Sequence, residues 1–200
     1  MTEKFFTRGN ANFTTRVLNE DETGYDSAPT NWQGLVETNL TITQEVTKFA
    51  ADNNPTYAVV SSPPHGSGTV TLFGISNKDW QHILNVLTVD GKGTRFGEDL
   101  PIKLFSMSID ELASNGSKNK IIFYKVYINN LPSIITQTKA EDNVAKRDIV
   151  LDVETAPVFY NKTGGGKGTV IYDIINSVED VKRWSENNET IMFPYDIREV

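Results

Sequence analysis

Along residues 34–43, apolar and polar positions alternate. Val36, Thr38, Leu40 and Ile42 fall on one side, and Glu37, Asn39, Thr41 and Thr43 on the other. A period of two predicts a strand with one wet face. The same period recurs at 69–73, where Val70 and Leu72 oppose Thr69, Thr71 and Phe73, and at Ile149, Leu151 and Val153. Residues 120–129, KIIFYKVYIN, are the most β-prone stretch, with Ile122, Tyr124, Val126 and Ile128 assigned to one face. Residues 12–18 read as a first strand, and 45–50 and 56–61 as two short strands around the AADNNP turn, where Asn54-Pro55 breaks pairing. In 100–109 the apolar parity switches between Leu104 and Phe105, which predicts a bulge. SNGSKN at 114–119 separates two β runs and predicts a hairpin. TGGGKG at 163–168 does the same between PVFY and TVIYDII.

The period changes after Gly74. Ser76 or Asn77 offers an N-cap, Asp79 suits the first turn, and Trp80, Ile83, Leu84 and Leu87 recur at i, i+3, i+4 and i+7. Asp90-Gly91 is a stop signal. The pattern predicts one main helix whose apolar face lies on the sheet. A second short helix is expected from Ser177, with Asp180 completing a capping-box pattern and Val178, Val181 and Trp184 on one side. The tail MFPYDIREV reads as an edge strand or a frayed end.

Three segments are polar and rich in turn formers: 19–33, 50–67 and 132–148. The last two are longer than compact domains carry without a functional reason. No internal repeat or dividing linker is present, so the chain reads as one domain, 1–200, with a C-terminal helix and tail at 177–200.

Composition narrows the class. With 38% hydrophobic and 22% charged residues, the chain is an ordinary globular protein. It has no cysteine, which removes disulfides and thiolate metal sites. The segment MTEKFFTRGN has no apolar run of signal-peptide length, and nothing downstream is long enough for a membrane-spanning helix. Synthesis in a cytoplasm is the expectation. Nineteen basic against 26 acidic residues give a net charge of −7. Such a chain should not grip a phosphate backbone, although it can surround nucleic acid without holding it. Simple solubility explains the same charge.

Candidate chemistry is sparse. Gly164–Thr169 fails as a phosphate loop, because Lys167 is followed by Gly168 and a β hairpin stands where a helix is needed. Ser117–Lys120 matches S-x-x-K without its companion motifs. His65 and His82 have no second ligand at zinc spacing. The acid pairs Asp110-Glu111 and Glu141-Asp142 fall in turn or loop composition, and glycosidase carboxylates are set by spatial distance rather than sequence spacing. The aromatic residues are scattered, as in a core or interface rather than a base-stacking platform. No catalytic, cofactor or metal residue is assigned.

The order of elements nevertheless resembles a known family. A short strand opens on Gly9 and Phe13, and a Gly24-Tyr25 loop leads into LVETNLTITQE. There follow Phe49-Ala50-Ala51-Asp52-Asn53, a helix after TVTLFGIS closed by Asp90-Gly91-Lys92-Gly93, the strand FYKV, and the ITQTKAED-to-IVLDVE passage. Over roughly residues 5–175 this is similar to the major tail proteins, the tail tube subunits, of long-tailed bacteriophages and prophages of Gram-positive bacteria. The resemblance implies a mainly β fold, a β-sandwich or barrel with one flanking α-helix, akin to type VI secretion tubes. It implies a structural virion protein of the tail, assembled in the host bacterial cytoplasm, not an enzyme, and needing no cofactor. Its partners would be itself, in stacked hexameric rings, together with the tape measure protein and tail completion or tip proteins. DNA would pass through the lumen without specific binding, and no membrane is involved. The long polar segments suggest inter-ring contacts at Asp52, Asn53, Tyr57, Lys139, Glu141 and Asp142. Two other readings stand beside it: a carbohydrate-binding β-sandwich module or other virion accessory protein, and a hydrolase on a similar sandwich.

Overall fold

The computed structural model describes residues 7–22, 24–26, 28–51, 53–73, 87–89, 93–95, 102–113, 118–137, 146–161 and 167–176. These residues are mainly β, in antiparallel sheets.

The main sheet begins with β1 (Thr7–Val17), β2 (Thr30–Trp32) and β3 (Leu35–Thr43). A two-stranded ribbon follows, β4 (Val46–Ala51) and β5 (Asn54–Ser61), and then β6 (His65–Phe73). A small pair, β7 (Leu87–Val89) and β8 (Gly93–Arg95), precedes the long hairpin of β9 (Phe105–Ala113) and β10 (Lys118–Ile128). Next come β11 (Ser133–Gln137) and β12 (Lys146–Thr155). The hairpin β13 (Val158–Asn161) and β14 (Lys167–Val170) is followed by β15 (Tyr172–Ile175).

The main sheet runs β2-β1-β9-β10-β12-β6-β3, with β15 added to β10 and β11 added to β12. β10 forks: 120–123 pair with β15, while 126–128 pair with β12. Contacts between β1 and β3 show that the sheet coils around its contents. Those contents are Phe13, Trp32, Val70, Leu72, Phe105, Met107, Phe123, Val126, Ile149, Leu151 and their neighbours. The alternations at 69–73 and 149–153 are therefore core positions, as the periodicity predicts. Ile122, Tyr124 and Ile175 form a second cluster with Val158 and Val170 of the β13–β14 hairpin.

Several expectations are corrected. Ile122 and Tyr124 do not share a face with Val126 and Ile128, because a register shift between Phe123 and Val126 reverses the side-chain alternation. The strand expected over 100–109 starts at Phe105 and runs on to Ala113, so Asp110 and Glu111 lie in a strand instead of a turn. Val36 is 58% exposed because β3 shifts register between Leu35 and Glu37. The 19–33 loop contains β2, anchored where the Trp32 indole N–H donates to Thr15 Oγ1 at 2.7 Å. In 132–148 the two ends pair as strands, Ile134 against Ile149, leaving only 138–145 between them. Leu87, placed on the helix face by sequence, lies in β7 instead. Leu87-Thr88-Val89 ends in β-branched residues, and Asp90-Gly91 is as good a hairpin signal as a helix stop. The rest of the expected helix, including Trp80, His82, Ile83 and Leu84, lies outside the described residues, as do 177–200.

Candidate assembly surfaces

Two surfaces leave the coiled sheet with more than its own packing requires. The first is the wet face of β3, β6 and β12. Register places Asn39, Thr69 and Asp152 in one row and Thr41, Ser67, Glu154 and Tyr127 in the next. Glu37 and Thr71 form a further row with Val150. Because strand side chains alternate, β6 and β12 send Val70, Leu72, Leu151 and Val153 into the core, and Leu40 of β3 packs against it. Within 35–43, 65–73 and 149–155 there is no Lys or Arg. Apart from Val150, these rows are hydroxyls, amides and carboxylates.

Two of its carboxylates are held in place. Glu154 accepts hydrogen bonds from the Tyr127 hydroxyl and from Asn129 Nδ2, the latter at 2.7 Å, and Asp152 accepts one from Asn130 Nδ2 at 3.3 Å. The bond to Glu154 pushes the Tyr127 phenol above its usual pKa, with burial adding to the effect. Lys125, on β10 beside this face, is paired with Glu22.

The second surface is the β4–β5 ribbon. β3 and β6 are hydrogen-bonded neighbours whose last pair is Thr43 with His65, and the ribbon continues the same two chains past the sheet. A polar neck joins them, where Ser62 N–H donates to Glu45 O at 2.9 Å and Gln44 Nε2 donates to Ser62 O at 3.1 Å. Pro63-Pro64 follows and has no N–H to extend the ladder. Alternation puts Val46, Tyr57 and Val59 on one side of the arm, and Phe49 and Val60 on the other. All five are between 51 and 66% exposed. A lone two-stranded ribbon is marginal in water, and an apolar surface on both of its sides worsens that balance.

The candidate contact residues from sequence divide accordingly. Tyr57 is on the arm and is 66% exposed, and Asn53 is at its tip with φ +61°. Asp52, Lys139, Glu141 and Asp142 lie outside the described residues. Sequence reasoning named the arm's tip but missed its two apolar sides. The signal was present, since 46–60 carries apolar residues at both parities.

Asp110 and Glu111 point to opposite faces of β9. Asp110 pairs with Lys120, and Glu111 accepts from Asn119 Nδ2 at 3.1 Å. They do not converge on one site. Among the described residues, no group of three or more His, Asp or Glu side chains is placed to hold a metal ion. No protein-family model matches the chain, and the comparison with curated proteins returned no match.

Proposed function

We propose that this chain is the structural subunit of a tube, of the kind that forms phage tail tubes, built from stacked rings of copies of itself. The observation that carries the reading is the β4–β5 arm, an extension of a sheet wall whose two apolar sides both need covering. An arm with two apolar sides can be covered by insertion against a different surface of the next copy. Such a contact is heterologous, and repeated heterologous contacts generate rings or filaments.

The wet face supports the same reading. A wall of threonine, serine, asparagine and carboxylates, with no Lys or Arg within 35–43, 65–73 and 149–155, lets a polyanion slide past, because like charges repel. On this reading β3, β6 and β12 line the bore, and the coiled sheet is the sandwich or barrel of a tail-tube fold. The tape measure protein and tail completion or tip proteins are its further partners, and the tail of a virion is its location.

Electron microscopy of the purified protein tests the proposal. Rings or tubes are the expected result. Compact monomers at all concentrations, with or without a polymerisation seed, would overturn it.

A further inference from the structure

Asn12, Asp110 and Lys120 come from three neighbouring strands, β1, β9 and β10, and meet at one carboxylate. Asn12 Nδ2 donates to Asp110 Oδ2 at 2.8 Å, while Lys120 Nζ pairs with Asp110 Oδ1. Register sets Ala11 and Lys120 opposite Asp110 from its two sides. Asn12 reaches the same place through the irregularity between Ala11 and Thr14, where it adopts φ +50°. The Lys120 and Asp110 side chains each retain only 15% exposure. A carboxylate shared by an amine and a carboxamide is more than an ion pair requires.

We propose that Asn12 and Lys120 are a site of self-modification, joined by an intramolecular amide bond with Asp110 as the acid–base group. Asp110 takes one proton from the Lys120 ammonium, and the freed lone pair forms a bond to Asn12 Cγ. The Cγ–Nδ2 bond then breaks. The departing nitrogen collects the proton held by Asp110 and a second from the attacking nitrogen, and leaves as ammonium. The reaction consumes no oxidant or other co-reactant. Proximity supplies the rate, since both reactants are held by the fold. Reach allows it: strands two apart are separated by about 9.6 Å, and a Lys–Asn bridge spans roughly 10 Å between Cα atoms. In a chain with no cysteine, this link would staple β1 to the centre of the sheet. It is independent of tube formation.

Intact-mass measurement of the folded full-length protein tests it. The expected mass is about 17 Da, one ammonia, below that of the sequence, with a branched proteolytic peptide joining Asn12 to Lys120. Lys120→Arg and Asp110→Asn should each restore the unmodified mass. A succinimide at Asn115-Gly116 would also lose ammonia, but it would persist in Lys120→Arg and hydrolyse at mildly alkaline pH. Full sequence mass in the wild-type protein after prolonged incubation would overturn the proposal. So would a deficit that survives Lys120→Arg.

Discussion

Gly68 shows how closely β3 and β6 approach. A Cβ added there would lie 1.9 Å from the Asn39 carbonyl oxygen and 2.9 Å from Leu40 Cα, both backbone atoms that cannot swing aside. Gly68→Ala must push the two strands apart, at a cost of about 3 kcal/mol. Its neighbour Ser67 is exposed on the wet face, and Ser67→Ala should stay within about 0.5 kcal/mol of wild type. Urea unfolding of the two variants checks the contrast. Leu72 is fully buried, so Leu72→Ala should cost about 2–5 kcal/mol in the same measurement.

Asp173 adds a pH dependence. It accepts a hydrogen bond from the Tyr124 hydroxyl at 2.5 Å, within the second apolar cluster. Burial raises its pKa, and the hydrogen bond pulls it partly back. A raised pKa means that the folded state holds this proton more tightly than the unfolded state. The resulting stability is fully present below the unfolded value, about 3.9, and is lost as pH rises through the folded one. Asp173→Asn keeps an acceptor for Tyr124 without a charge to bury. Unfolding at about pH 4 and pH 7 should show a smaller fall in stability for the variant than for wild type.

At the scale of the element, the arm is separable from the core. Among the described residues, none of its side chains belongs to either buried cluster, and its ladder joins β4 to β5 alone. Replacing Phe49 and Tyr57 together by Ser should leave the unfolding midpoint nearly unchanged, because both side chains are already in water. The same double variant should fail to polymerise if the arm is the contact between rings. Replacing 51–56 with a Gly-Ser linker should have the same outcome, and replacing 139–147 tests the other long segment. Normal tubes from both linker variants, seen by microscopy, would remove these segments from the account of stacking.

At the scale of the molecule, three of the 26 acidic residues fall on one face. Glu37, Asp152 and Glu154 share one face with hydroxyls and amides. If that face lines a bore, converting Asn39, Thr41 and Thr69 to Lys should leave the core intact and make the bore sticky. Assembled variant tubes should retain a labelled oligonucleotide at low salt and release it as salt rises, whereas wild-type tubes retain none. Equal retention by both would place the wet face outside the lumen.

The sequence alone determined the β class, the core parity at Val70, Leu72, Ile149, Leu151 and Val153, and the hairpins around 52–53, 114–117 and 162–166. A strand with one wet face writes its period directly into the chain, and turn chemistry is local. Only the tertiary structure decided where that period breaks. The irregularities at Val36 and between Phe123 and Val126 depend on which strand lies alongside, and so does the conversion of 132–148 into a paired hairpin. The meeting of Asn12, Asp110 and Lys120 spans 108 residues of chain and has no local signature. The arm shows the same division. Its apolar residues are legible in the sequence, but their exposure on both sides follows from the sheet ending at Thr43 and His65, which long-range pairing alone sets.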